Sequence, residues 1–287
     1  MLDTRINAAT QRFAVLGKSL PHTWSPFIHN SVFRKAGRNA VYIPVTVPEQ
    51  SLGSVTDVFR SCFDGFNVTI PYKERIIPLL DEVDDAVRAC GAVNTVEVRE
   101  GRLIGHITDG LGMIAAIEEC GILTSNVSAL ILGGGGAARV AAYEFLVRGG
   151  RVMLAVRSIK KGLILARELA QVQHDGMARI KVCLLSDVPS GSYDILVNCT
   201  PVGMYPHVDD CPVTDNVISM CGSVFDAVYN PRKTRLLAAA EDKGIPCVEG
   251  LGMLFYQAVE AQKFWFGSVG VDRADLQSIY QSVCMQL

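Results

Sequence analysis

One segment limits the architecture more than any other: Ala129-Leu130-Ile131-Leu132-Gly133-Gly134-Gly135-Gly136-Ala137-Ala138-Arg139. A short apolar run reads as a buried strand, glycines follow it without a break, and a helix-forming stretch begins at once. The spacing fits G-x-G-x-x-A, with Gly133 for the tight turn, Gly135 to let a pyrophosphate approach the backbone, and Ala138 for close packing of helix on strand. The unpaired N–H groups at the helix start, and the positive end of its dipole, suit that phosphate. Four glycines alone could form a flexible turn. The strand before them and the helix after them point instead to dinucleotide binding and to a parallel αβ sheet.

The end of the next strand selects the cofactor. An acidic residue about 20 positions on would bind the ribose 2′-hydroxyl of NAD. The chain instead reads Ala155-Val156-Arg157-Ser158-Ile159-Lys160-Lys161, with no carboxylate. Arg157, Ser158 and one of the lysines, taken as Lys160, can hold a 2′-phosphate through charge-assisted hydrogen bonds, so NADP is preferred over NAD. The plain alternative is a solvated basic helix start. Further on, Asn198-Cys199-Thr200-Pro201-Val202-Gly203-Met204 follows another apolar strand and belongs at its carboxyl end, where open α/β sheets bind ligands. It reads equally as a cover for the nicotinamide ribose or as a simple turn.

The rest of the pattern is consistent with two αβ domains, and 287 residues suffice for two cores of ordinary size. In the first half, Arg12 to Gly17 and Ala40 to Val47 are strand candidates. Ser25 is a helix N-cap with Pro26 at the first helical position, Ile28, Val32, Phe33 and Ala36 share one face, and Gly37 is the stop. A second helical pattern runs through Leu52, Val55, Val58 and Phe59, and Gly65 to Ile70 is a third strand, an order that implies parallel strands with right-handed crossovers. Asn94 to Val98 and Arg102 to Ile107 flank Glu100-Gly101 as a hairpin. After Asp109 a helix runs through Met113, Ile114 and Ile117 to Gly121. Strands are then expected at Val127 to Leu132, Arg151 to Val156, Ile180 to Leu184, Ile195 to Cys199, Val224 to Val228 and Pro246 to Val248. Leu251 to Phe266 and Asp272 to Met285 are helical. The expected division is a domain of residues 1–108, completed by 252–287, and a Rossmann-type domain of 109–251.

Composition excludes several classes. The 27 basic and 29 acidic side chains give a net charge of -2 with no long run of one sign, which argues against a nucleic-acid partner. Nine cysteines lack CxxC or Cys/His ligand spacing, and His22, His29, His106, His174 and His207 show none either, so packed thiols and no metal site are expected. No apolar run reaches membrane-spanning length, and Met1-Leu2-Asp3-Thr4-Arg5 lacks a signal-peptide core. A cytoplasmic protein without a membrane partner is expected, as a monomer or homodimer.

Polar residues concentrate at Thr23 and Ser25, at Asn67, Thr69 and Lys73, at Asn94, and at Asp109. The alternations Thr23-x-Ser25 and Asn67-x-Thr69 put each pair on one side of an extended chain, an arrangement suited to a polyhydroxylated ligand. Singly, these residues read as helix caps or solvated side chains. Together, the ordered segments resemble the shikimate dehydrogenase family, quinate/shikimate dehydrogenases included. They are Ser25-Pro26-Phe27-Ile28-His29-Asn30, Asn67-Val68-Thr69-Ile70-Pro71-Tyr72-Lys73-Glu74, Gly91-Ala92-Val93-Asn94-Thr95, Gly133-x-Gly135-Gly136-Ala137, Asn198-x-Thr200, Asp226-x-x-Tyr229 and Gly250-Leu251-x-Met253-Leu254-x-x-Gln257-Ala258.

The resemblance implies reversible NADP-dependent reduction of 3-dehydroshikimate to shikimate. It implies Lys73 and Asp109 as the catalytic pair and Thr23, Ser25, Asn67, Thr69, Asn94, Tyr229 and Gln257 as substrate contacts. It adds Gly133, Gly135, Gly136, Ala137, Thr200, Ala227 and Gly250 to Arg157, Ser158 and Lys160 around the cofactor. Ketone reduction needs a proton donor where alkoxide charge develops, and an ammonium at Lys73 can serve. Three positions depart from the family pattern: Thr23 stands for serine, Ile107 for asparagine, and Val156 for asparagine. Two other readings remain open at this point, an NAD-using quinate/shikimate dehydrogenase and a nucleotide-binding sensor without turnover. The presence of both Lys73 and Asp109 speaks against the sensor.

Overall fold

The computed structural model describes residues 6–21, 23–171 and 176–286; His22, His174 and the Met1–Arg5 segment lie outside them. The chain divides into two compact units, Met1–Thr108 with Gln257–Leu287, and Asp109–Tyr256.

The first unit is built on a six-stranded sheet. Its elements are β1 (Gln11–Gly17), α1 (Ser25–Lys35), β2 (Ala40–Thr46), α2 (Leu52–Cys62), β3 (Gly65–Val68), β4 (Glu82–Val83), α3 (Asp85–Cys90), β5 (Thr95–Arg99) and β6 (Arg102–His106), in the order β2-β1-β3-β5-β6-β4. The first three strands are parallel, as their helical crossovers require. The hairpin turns at Glu100 and Gly101, both at positive φ (52° and 74°), and joins the sheet antiparallel through β3 and β5. The sheet is therefore mixed rather than wholly parallel. Strand β4, only two residues long, and α3, capped by Asp84 accepting from Val87 N at 2.8 Å, are too short to show periodicity in the sequence.

Three local expectations fail here. Ser25 is the first residue of α1 rather than its N-cap; Trp24 holds that position and makes no side-chain cap, because its φ and ψ are already helical. On α2 the inward face is Leu52, Thr56 and Phe59, and Val58 is 53% exposed. Thr56 is tolerated inside because its hydroxyl donates to Leu52 O at 2.8 Å. Strand β3 stops at Val68, two residues before the expected end. At the outer edge of the sheet, Asn30 Nδ2 donates to Tyr42 O at 2.8 Å, and Tyr42 N donates to Asn30 Oδ1 at 2.9 Å.

The core beside β1 is aromatic. Phe13, Phe33 and Tyr42 meet Trp265 and Phe266. Gly65 is obligatory there, since a Cβ would lie 2.5 Å from Trp265 Nε1. Trp265 and Phe266 end α10 (Gly250–Phe266), which begins in the second unit and whose residues from Gln257 onward belong to the first.

The second unit contains α4 (Asp109–Glu119), β7 (Ser128–Leu132), α5 (Gly136–Val147), β8 (Arg151–Val156), α6 (Ile159–Ala170), α7 (Gly176–Arg179), β9 (Ile180–Leu184), β10 (Ile195–Asn198), α8 (Asp215–Ser219), β11 (Val224–Asp226), α9 (Arg235–Glu241) and β12 (Cys247–Glu249). All strands are parallel, in the order β9-β8-β7-β10-β11-β12. That is the 3-2-1-4-5-6 order of a doubly wound dinucleotide-binding sheet, whose direction of winding reverses between β7 and β10. Its central strands, β7 and β10, are buried on both faces: Leu130, Ile131, Leu132, Leu196 and Val197 are all 0% exposed. α11 (Arg273–Cys284), capped by Asp272 accepting from Asp275 N at 2.8 Å, completes the chain in the first unit. No helix of the described residues is long and apolar enough to cross a membrane.

Candidate functional site

In the first unit the carboxyl ends of β1 and β3 are neighbours, and β1 is where the order of the parallel strands reverses. The segments after them carry Thr23 and Ser25, and Thr69 and Lys73. Gly17 brings the two together, since a Cβ there would fall 2.7 Å from both Thr69 Cγ2 and Leu20 Cδ2. Thr69 N donates to Leu16 O at 2.9 Å, holding the end of the β3 extension against β1.

The turn bearing Lys73 is fixed from within. Tyr72 is fully buried and its hydroxyl donates to Val47 O, while Val93 N donates to the carbonyl of Lys73 at 2.8 Å. The Lys73 side chain is half-buried. On the outer rim of this turn Glu49 accepts from Lys18 at 2.7 Å and Arg75 at 2.5 Å; these exposed pairs add little stability but join three segments around the site.

Behind the turn runs a continuous buried network. The Tyr42 hydroxyl donates to Asn67 Oδ1 at 2.6 Å. Asn67 Nδ2 donates to Asn94 O and to Thr95 Oγ1, both at 3.0 Å. Asn94 Oδ1 accepts from Thr108 N at 2.7 Å, and Asn94 Nδ2 donates to Thr108 Oγ1 at 3.0 Å and to Gln257 Oε1 at 3.3 Å. Asn67, Asn94 and Gln257 are thus brought onto one network. Its linking members Tyr42, Thr95 and Thr108 are residues that sequence reasoning missed. Only the position of Thr95 and Thr108 beside Asn94 and Asp109 hinted at them. His29 stacks on Tyr42 with ring centroids 4.2 Å apart, and burial lowers its pKa to about 3, so the imidazole is neutral. Burial also pushes the Tyr42 phenol well above its ordinary value, which keeps it a donor.

In the second unit, Gly133 adopts φ +116°, and a Cβ there would meet Cys199 O at 3.3 Å and Thr200 Cγ2 at 3.4 Å. The glycine turn and the loop after β10 therefore abut at the point where the sheet's winding reverses. Gly135 and Gly136 have no heavy atom within 4 Å of an added Cβ, and Ala138 is 0% exposed beneath them. A cleft of about 410 Å³ is lined by Gly134, Gly135, Val156, Arg157, Ser158 and Lys161. Beside Arg157, the basic residue lining this cleft is Lys161, and Lys160 is not among its lining residues. With Ser158 as the N-cap of α6, the helix phase carries Lys161 to the cleft. The open glycines and the cations fit a nucleotide phosphate.

Thr200 is held through Asn198, whose Oδ1 accepts from Thr200 N at 3.0 Å and Thr200 Oγ1 at 2.7 Å. Ala227 N donates to Asn198 O at 2.9 Å, and Tyr229, 42% exposed, follows in the loop after β11. Gly250 lies against that loop, where a Cβ would be 2.6 Å from Ala227 O. Asp109 opens α4, half-buried, directly after Thr108. Gly110 permits close approach to α5, since a Cβ would fall 2.5 Å from Glu144 Cγ. His106 donates or accepts at Asp84 Oδ2 (2.9 Å) and stacks on Phe264. No group of three or more His, Cys, Asp or Glu among the described residues could hold a metal ion.

Residues 15–96 match the family described as the shikimate dehydrogenase substrate binding domain. A shikimate dehydrogenase (NADP(+)) of Carboxydothermus hydrogenoformans is 38% identical over 268 residues, covering 92% of this chain and 94% of the relative. The crystal structure of shikimate 5-dehydrogenase from Thermus thermophilus, in complex with NADP(H) and shikimate, is similar with a TM-score of 0.83 and 32% identity, over 95% of this chain and 99% of that one. The Listeria monocytogenes shikimate 5-dehydrogenase, in complex with shikimate and NAD, gives a TM-score of 0.87 at 28% identity, over 97% and 98% of the two chains.

Proposed function

The chain belongs to the shikimate dehydrogenase family, and we propose that it catalyses the reversible NADP-dependent reduction of 3-dehydroshikimate to shikimate, a step of aromatic amino-acid biosynthesis, in the cytoplasm. The observation that carries the cofactor reading is the cleft that joins Gly134 and Gly135 to Arg157, Ser158 and Lys161, with no carboxylate to meet a 2′-hydroxyl.

NADPH, when bound, supplies the hydride. The chain's own residues supply placement and a proton. Gly133 to Ala137 accept the pyrophosphate at the N-terminus of α5, and Arg157, Ser158 and Lys161 hold the 2′-phosphate. Thr200, Ala227 and Gly250 border the nicotinamide half. Thr23, Ser25, Asn67, Thr69, Asn94, Tyr229 and Gln257 bind the carboxylate and hydroxyls of the substrate. Lys73 gives its Nζ proton to the oxygen on which negative charge develops, and takes it back in the oxidation. Asp109, the second member of the catalytic pair, accepts from a substrate hydroxyl. The network behind Asn67 and Asn94 supports this reading physically, because amides whose remaining atoms are already paired have one orientation left for a ligand.

Thr23 keeps the hydroxyl of the family's serine and adds a methyl group that narrows the pocket. Steady-state assays with shikimate and quinate, each against NADP and NAD, test the proposal. A higher kcat/KM with NAD than with NADP would overturn the cofactor assignment, and one higher with quinate would overturn the substrate.

A further inference from the structure

We propose that Asp226 is a positioning residue for the cofactor: one buried carboxylate clasps together the two loops, Asn198–Val202 and Ala227–Tyr229, that border the glycine turn. The inference rests on the function proposed above and deepens it. Asp226 ends β11 and is 0% exposed. Its Oδ1 accepts from Asn198 Nδ2 at 2.8 Å and from Val228 N at 3.0 Å, and its Oδ2 accepts from Thr234 Oγ1 at 2.7 Å. The donors come from three places: the end of β10, the loop after β11, and the cap of α9, where Thr234 also accepts from Leu237 N.

The consequence propagates through Asn198. With its amide nitrogen committed to Asp226, the amide oxygen faces Thr200 and receives both the backbone N–H and the hydroxyl of that residue. Thr200 in turn touches the position of Gly133, where a Cβ would be 3.4 Å from its methyl group. A carboxylate can only accept, so it dictates which way the Asn198 amide points; no neutral side chain of that size makes the same demand. Burial raises the Asp226 pKa and the three donors oppose that rise. A buried acid with its lone pairs directed at two loops and a helix cap, rather than at a cation, has geometry as its product.

The test uses the full-length protein and three variants, Asp226→Asn, Asn198→Asp and Thr234→Val. Asp226→Asn is isosteric and keeps the fold, but its amide can present a donor to the Asn198 amide and so frees the Thr200 loop. We expect the NADPH dissociation constant, read by fluorescence titration without substrate, to rise about tenfold, which is about 1.4 kcal/mol. Asn198→Asp sets two acids against each other and is expected to weaken NADPH binding further. Thr234→Val, which leaves both loop contacts of Oδ1 in place, is expected to lower thermal stability while leaving NADPH affinity within twofold. Asp226→Asn with wild-type NADPH affinity overturns the proposal while leaving the proposed function standing. Equal loss of affinity in Thr234→Val also overturns it, since the effect would then be one of general stability. Failure of the wild-type protein to bind NADPH would instead sink the function and this inference with it.

Discussion

Replacing Tyr42 by phenylalanine removes one oxygen atom and isolates its contribution. The ring, 1% exposed, keeps its stack on His29 and its place among Phe13, Phe33 and Trp265. What disappears is the donor to Asn67 Oδ1, a 2.6 Å hydrogen bond to a residue that is itself 5% exposed. Water cannot readily replace it there, so the amide oxygen loses its partner at a cost of about 1–3 kcal/mol. For a protein of this size that lowers Tm by roughly 2–4 °C per kcal/mol. The same loss unlocks the Asn67 amide, so KM for shikimate is expected to rise about tenfold with KM for NADP unchanged, about 1.4 kcal/mol of binding. Equilibrium urea unfolding and steady-state kinetics on Tyr42→Phe measure both. A variant with the wild-type urea midpoint and the wild-type KM for shikimate would refute the claim that this network holds the site.

Three further outcomes are expected. Lys73→Ala should lose kcat by roughly two orders of magnitude or more with little change in shikimate binding, and a nearly unchanged kcat would remove Lys73 from proton transfer. Arg157→Ala should raise KM for NADP by roughly 10- to 100-fold, the worth of a charge-assisted hydrogen bond, and leave KM for NAD within twofold. His29 titrates at about 3 when folded against an ordinary value of 6.5, so between those values the unfolded chain binds a proton that the native one does not. Stability from this group is complete above about pH 6.5 and falls as the pH drops, by about 2 kcal/mol at pH 5. His29→Gln should flatten the urea midpoint between pH 7 and pH 5 relative to wild type, and parallel curves would show that His29 is not the cause.

The second unit is the more legible half of the sequence. Arg151–Val156 stands out as a strand because its apolar run from Val152 is buried in a parallel sheet, whereas Ile180–Leu184, at the sheet's edge, is buried only at Ile180 and is read from its β-branched residues. The glycine turn is legible for a related reason, since Gly133 has no freedom to be another residue against Cys199. In the first unit, β4 and α3 carry too few residues for a period, and the Asp84 cap that starts α3 has no capping-box partner to announce it. The placement of Lys161 rather than Lys160 depends on where α6 begins, which is a matter of one residue. Tyr42 looks like any apolar strand residue; its hydroxyl finds Asn67 only through the pairing of β2, β1 and β3. Asp226 sits within a motif visible in the sequence, but its three donors lie 28, 8 and 2 residues away, and only the folded sheet edge collects them.

The hydrogen bonds between Asn30 and Tyr42 carry one more consequence. A primary amide presents the same donor and acceptor as a peptide group, so Asn30 serves β2 as a surrogate neighbour strand a single residue long. Two residues further along the same outward-facing row stands Pro44, which has no N–H to offer. A second polypeptide approaching this border therefore meets one site already taken and one lacking a donor, and templated strand addition has no foothold at the flank that supports the buried network.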